Sequence, residues 1–176
     1  MDLIARALEL GATHAAFIDA AKLDQQDELR RSCAQNFCGR YGTNWACPPA
    51  APDMDDCREQ VKSYTQGLVI QTVCPLEDSY DFEGMAAGQD RHNEIFRSLF
   101  REMRAVYGDG MLGLAAGGCN RCETCTYPDA PCRFPEELFH SVESYGIAAP
   151  KLCHDCGLNY INGANTVSYL GLILFA

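Results

Sequence analysis

Four cysteines in one short stretch are the residues of this chain with the clearest chemistry. Three of them recur at two-residue spacings, which brings three thiolates to one side of a single loop, as in proteins that hold an iron–sulfur cubane. A disulfide joins only two sulfurs, and zinc is more often held by two separated Cys-x-x-Cys pairs. The stretch therefore predicts a metal site, most simply a [4Fe-4S] cluster, with the ligands Cys119, Cys122, Cys125 and Cys132.

A second cysteine group lies nearer the amino terminus, at Cys33, Cys38 and Cys47. Pro48 follows Cys47 directly, and a Cys-Pro pair is typical of the remote ligand of a cubane. This group has only three cysteines. The sequence leaves four alternatives for its fourth ligand, which are a cysteine elsewhere, a water, a substrate and a thiolate of a partner protein.

Two ways of grouping these seven ligands are compatible with the spacing. In two-cluster ferredoxins the cysteine after the triplet binds the other cluster, and a remote Cys-Pro completes the first. Cys132 therefore joins either its own triplet or Cys33 and Cys38, in which case Cys47 joins the triplet. We favour the local grouping, with one or two clusters per chain and zinc as the alternative metal.

The other four cysteines give weaker signals. Cys57 falls on an apolar helix face and is expected to be a core thiol, and Cys74 stands alone at a strand end. Cys153 and Cys156 form a Cys-x-x-Cys pair. It is compatible with half a zinc site, with the missing ligand for the Cys33 group, with a redox dithiol, or with two structural thiols.

Composition limits the classes of function. The formal net charge of −10 opposes nucleic-acid binding, which needs a basic surface, and favours docking on a basic partner. We expect no signal peptide, and no apolar run reaches the ~20 residues that a membrane-spanning helix needs. We therefore expect a cytoplasmic protein, in which an odd count of 11 cysteines favours metal binding over disulfides.

The elements that must position these cysteines alternate along the chain. Helices ending at glycines are predicted, each followed by a short apolar strand. This alternation predicts one α/β domain over residues 1–176, with a largely parallel or mixed central sheet, flanking helices and cysteine-rich loops at strand ends. The predicted helices are 2–10, 53–64, 89–107 and 136–145, and the predicted strands are 14–20, 68–73, 111–116 and 166–175, the last lying inside the sheet. Residues 74–89 are expected to form a surface excursion.

Two motifs of the chain resemble those of a known family. One runs from Cys33 through Tyr41-Gly42-Thr-Asn44-Trp45 to Cys47-Pro48-Pro49, and the other from Gly117-Gly118-Cys119 to Cys132-Arg133-Phe-Pro135. Together with Glu143-Ser-Tyr-Gly146 and the closing strand, they are similar to a family of predicted metal-binding proteins known as domain of unknown function 2284. The resemblance implies that the seven cysteines of the two motifs bind metal, and it implies no reaction.

Three functions are compatible with these observations. The leading one is electron transfer by an iron–sulfur protein to a redox partner enzyme, in an anaerobic or redox pathway, because four thiolates leave no iron open. The second is an enzyme with an open iron at Cys33, Cys38 and Cys47. The third is a zinc-stabilised binding module, which would fold with its metal and show no redox activity. The oligomeric state is not indicated by the sequence.

Overall fold

A five-stranded mixed sheet forms the centre of the protein, in a computed structural model that describes residues 2–176. The strands lie in the order β1-β2-β5-β3-β4, and only β3 and β4 run parallel. The predicted α/β fold is therefore confirmed, and of the two predicted alternatives the sheet is mixed. The strands are β1 (His14–Asp19), β2 (Gln66–Pro75), β3 (Leu112–Ala115), β4 (His140–Ser141) and β5 (Thr166–Phe175).

Helices pack on both faces of this sheet and divide the core in two. One cluster of buried side chains joins α1 and α4 to the sheet, and another joins α3 and α5 to the opposite face. β5 contributes to both clusters, since its side chains alternate between the two faces. Its predicted place inside the sheet is confirmed. The helices are α1 (Leu3–Glu9), α2 (Asp27–Ser32), α3 (Met54–Lys62), α4 (Phe82–Tyr107) and α5 (Ala149–Asp155).

The long helix α4 begins seven residues earlier than predicted, inside the expected surface excursion. The Asp81 side chain caps it by accepting a hydrogen bond from the Gly84 backbone N–H at 2.8 Å. Gly88 is buried in the first turns, where an added Cβ would lie 3.0 Å from Cys74 Sγ and 3.2 Å from the Tyr169 ring. This glycine permits close helix–strand packing and does not mark a loop. At the other end of α4, Val106 is 63% exposed, so the buried face of the helix ends before its last turn, at Met103.

The predicted helix 136–145 is wrong. A single 3₁₀ turn (Pro135–Glu137) leads into β4, and a second 3₁₀ turn (Glu143–Tyr145) follows it. The apolar side chains of this segment diverge, because Phe139 packs in the α4 cluster while Val142 and Tyr145 pack in the α3–α5 cluster. One helix face could not reach both sides of the sheet.

Both cysteine motifs lie in irregular segments between these elements. The second follows β3, as predicted, but the first follows α2 and not a strand, since Cys33 begins a short 3₁₀ turn directly after that helix. The sequence pattern missed α2 and α5. None of the described helices combines the length and apolarity needed to cross a membrane.

Candidate metal centre

The seven predicted ligands line two neighbouring cavities. The first has a volume of about 310 Å³ and is lined by Cys33, Cys38 and Cys47. The second is much smaller, about 20 Å³, and its lining includes Cys119, Cys122, Cys125 and Cys132. The cavities therefore match the local grouping of the ligands, because Cys132 lies with its own triplet and Cys47 lies with Cys33 and Cys38. The role of these cysteines as metal ligands remains a prediction.

A compact turn positions Cys47 in the first cavity. The buried Asn44 side chain accepts hydrogen bonds through Oδ1 from the backbone N–H groups of Ala46 (3.0 Å) and Cys47 (3.1 Å). His140 on β4 fixes the same turn, with its Nδ1 2.8 Å from the Ala46 carbonyl oxygen. That contact assigns the proton to Nδ1, and burial lowers the pKa of His140, which favours the neutral ring. The sheet therefore holds this turn directly.

Helix α4 anchors the start of the second motif through a relay of amides. Asn120 donates from Nδ2 to the Asp90 carboxylate at 2.8 Å, and Asn93 donates from Nδ2 to Asn120 Oδ1 at 2.9 Å. The carboxylate only accepts hydrogen bonds, so it sets the orientation of both amides. A continuous path of side chains thus connects the buried face of α4 to the residue beside Cys119.

Ion pairs hold the far end of the second motif. Glu137 accepts a hydrogen bond from Arg121 Nε at 2.8 Å and another from Arg101 on α4. The Arg121 guanidinium also lies 4.0 Å from the centre of the Phe134 ring, within the range of a cation–π contact. Arg133 closes the loop by donating to the Thr124 carbonyl oxygen at 2.7 Å.

Direct contacts join the two motifs to one another. The Arg40 guanidinium, which lines the first cavity, donates to the carbonyl oxygen of Cys119 in the second motif. Trp45 Nε1 donates to the Ala130 carbonyl oxygen at 3.0 Å, and the Trp45 ring meets Tyr127 edge to face at 4.9 Å. The two cysteine groups therefore lie side by side in the fold.

The electrostatics of the cavities oppose free thiolates. Burial raises the pKa values of Cys33, Cys47 and Cys119, because the thiolate loses contact with water. Arg40 partly offsets this effect at Cys47. A bound metal cation would stabilise the deprotonated form, so metal binding at these sites must release protons.

The donor chemistry of the cavities fits a thiolate-bound metal centre. Three or four thiols with adjacent guanidinium groups suit iron–sulfur clusters or zinc, and are poorly matched to the oxygen-preferring Mg²⁺ and Ca²⁺. The first cavity has room for a polynuclear group. The second does not at its present volume, so a cluster enters it only if the loop that begins at Gly117 expands. Across residues 2–176, no three Cys, His, Asp or Glu side chains converge as they would on a single metal ion.

The remaining cysteines lie away from these cavities. Cys57 is fully buried in the α3–α5 cluster, which places it in the predicted core position. Cys153 and Cys156 lie at the end of α5 on that same side of the sheet, where Cys153 is fully buried. Burial, followed by the neighbouring Cys153, raises the pKa of Cys156 to about 11. So high a pKa opposes a redox dithiol, which needs a thiolate near neutral pH.

The first cavity also contains a carboxyl group that has no part in the cysteine pattern. Glu143 lines it together with the three cysteines, and burial raises the pKa of its carboxyl group. A lone acidic residue in the otherwise apolar and neutral stretch 138–149 was the signal that could have identified it.

One of three comparisons with known proteins points to a metal-binding family. The family model described as "Predicted metal-binding protein (DUF2284)" matches residues 16–175. No curated protein sequence matches the chain. Two solved structures of epoxyqueuosine reductase resemble the fold at 10% identity. They are a selenomethionine-labelled form with a TM-score of 0.48 and a complex with an epoxyqueuosine-modified tRNA-Tyr stem loop with a TM-score of 0.46. Each alignment covers 98% of this chain and 44% of the reductase, so the chain spans less than half of those structures.

Proposed function

The chain belongs to the DUF2284 family of predicted metal-binding proteins, and from that premise we propose that it is an iron–sulfur protein that transfers electrons to a redox partner. In this proposal Cys33, Cys38 and Cys47 hold one [4Fe-4S] cluster. A second cluster is held by Cys119, Cys122, Cys125 and Cys132. Such clusters, when bound, supply reversible one-electron transfer.

The observation that carries this proposal is the closeness of the two thiol groups. Trp45 lines the second cavity, and Cys47, two residues further along the chain, lines the first. The Cα atoms of these two lining residues therefore lie at most about 7 Å apart. An electron held at one site therefore has a short path to the other, which a purely structural metal would not need.

Local charge supports a thiolate-bound centre at both sites. Arg40 lines the first cavity, and Arg121 and Arg133 line the second. These guanidinium groups offset the negative charge that several thiolates bring to a partly buried site. The chain as a whole carries 24 acidic against 14 basic residues, so a basic partner remains the best electrostatic match.

The first site also has the more accessible edge. Cys38 is exposed, and the preceding Phe37 is 91% exposed. A large apolar side chain beside an exposed ligand is suited to contact with another protein. We therefore place electron exchange with the partner at the Phe37–Cys38 edge.

Anaerobic purification followed by reduction tests the proposal. The protein should absorb broadly near ~400 nm and bleach with dithionite, as cluster-bound thiolates do. Cys38→Ser should remove about half of the bleachable absorbance, because it affects one of two clusters. Cys74→Ser, at a buried cysteine away from both cavities, should remove none. A colourless protein with stoichiometric zinc would instead support the zinc-stabilised binding module.

A further inference from the structure

The first cavity contains a carboxylate in the place where a fourth ligand is missing. Glu143 lines this cavity with the three cysteines, and its 3₁₀ turn begins directly after Val142. The backbone on both sides is buried, with Val142 at 1% and Ser144 at 0% exposure, whereas Glu143 itself keeps partial accessibility. Glu143 is thus the partly accessible residue of a buried turn, and it lines the cavity.

This carboxylate has no cationic partner in the part of the chain that the structure describes. None of the ion pairs among residues 2–176 includes Glu143. Arg30, which lies near Cys33, donates instead to the carbonyl oxygens of Ser144 and Ala51. Arg40 donates to the Cys119 carbonyl oxygen. The hydrogen-bond partners of Glu143 are the Ser141 side chain and its own backbone N–H, which carry no positive charge, so a metal cation in the cavity would stabilise the ionised carboxylate.

We propose that Glu143 is the fourth protein ligand of the cluster bound by Cys33, Cys38 and Cys47, coordinating one iron through a carboxylate oxygen. This inference rests on the proposed function. Each iron of a cubane takes one external ligand, so three thiolates leave one iron without an external ligand. The step is a ligand exchange, in which an iron–water bond breaks, an iron–carboxylate bond forms, and no electron is transferred.

Cys119 is the competing candidate, because it lies close enough to Cys47 to affect that thiol. It already shares the second cavity with three other cysteines, and moving it would leave that cavity one ligand short. Glu143 completes the first site without this loss. An open iron that binds water or substrate is the other competitor, and it requires the carboxylate to stay unbound beside a metal cation.

Mössbauer spectroscopy of the anaerobic full-length protein distinguishes these arrangements. If Glu143 binds, about one iron in eight should form a separate doublet with the higher isomer shift of an oxygen-ligated iron. Glu143→Cys should merge that doublet with those of the thiolate-bound irons. Glu143→Gln keeps the side-chain size, and it should change the doublet or release that iron to a chelator. Glu136→Gln, an exposed control in the turn before β4, should leave the spectrum unchanged.

Specific outcomes would overturn the inference. A clustered protein whose spectrum is the same in wild type, Glu143→Gln and Glu143→Cys would show that this carboxylate is not a ligand, while leaving the proposed function intact. Spectral change in Glu136→Gln equal to that in Glu143→Gln would also count against it. Absence of iron from the wild-type protein would overturn both this inference and the proposed function.

Discussion

His92, on the buried face of α4, should make the stability of this protein fall as the pH is lowered. The ring is fully buried, with Nδ1 2.8 Å from the Thr72 hydroxyl oxygen. Its Nε2 has no hydrogen-bond partner among the described residues. Protonation would place a charge and an unsatisfied donor inside the α4 core, so burial lowers the pKa of His92 to about 4.

The size of the effect follows from linkage between protonation and unfolding. In the unfolded chain His92 has its ordinary pKa of about 6.5, so below that pH the unfolded state binds a proton that the folded state refuses. Stability is therefore complete above pH ~6.5 and is lost progressively toward pH ~4. Since one pKa unit corresponds to about 1.4 kcal/mol, lowering the pH from ~7 to ~5 should cost about 2 kcal/mol. That is a substantial part of the ~5–15 kcal/mol typical of a domain.

Denaturant unfolding at the two pH values, with variants, tests this reasoning. His92→Phe leaves the buried Thr72 hydroxyl without its partner and should cost about 1–3 kcal/mol at pH ~7. The variant lacks the proton linkage, so its disadvantage relative to wild type should shrink by about 2 kcal/mol at pH ~5. His154→Gln, whose side chain is 88% exposed, should keep the pH dependence of wild type. Parallel pH profiles for wild type and His92→Phe would refute the argument.

Three further predictions concern the metal centre. Gly118→Ala places a Cβ 2.7 Å from Arg40 Nε and 3.2 Å from Cys47 Sγ. The free energy of unfolding should therefore fall by about 1–3 kcal/mol, and metal analysis should show a lower metal content than in wild type. Gly110→Ala, with no neighbour within 4 Å, should show neither. Trp45→Phe removes one of the hydrogen bonds between the two motifs, the one from Trp45 Nε1 to the Ala130 carbonyl oxygen, and absorbance in air should decay faster than in wild type. An equal rate would show that this hydrogen bond does not protect the centre from oxygen. Metal removal should increase hydrogen exchange in segments 33–53 and 116–134. The sheet should stay protected, because the buried apolar clusters stabilise it without the metal. A loss of protection throughout the protein would contradict this prediction.

Local pattern explains which elements were predictable from the sequence. α3 and most of α4 follow apolar periodicity and end near glycines, and the four longer strands follow short apolar runs, as the sequence indicated. Periodicity carries no information on strand direction, so the antiparallel placement of β5 between β2 and β3 could not be read from it. The segment 136–145 has helical spacing, but tertiary packing sends its apolar residues to both faces of the sheet.

The sequence predicted the cysteines of the site but not the other residues that surround them. Cysteine spacing identified the residues that line both cavities, because ligand loops are local in sequence. His140 and Glu143 follow the second motif without any ligand spacing, and they reach the site through the pairing of β4 with β3. Arg40 lies within the first motif, but its contact with Cys119 of the second motif depends on the fold and not on the local sequence.

Iron and acid-labile sulfide analysis of anaerobically purified wild-type protein tests the central claim most directly. Two clusters on the two cysteine groups predict about eight irons and eight sulfides per chain, without zinc. About four of each would mean that only one group binds a cluster. Stoichiometric zinc with no labile sulfide would contradict the account.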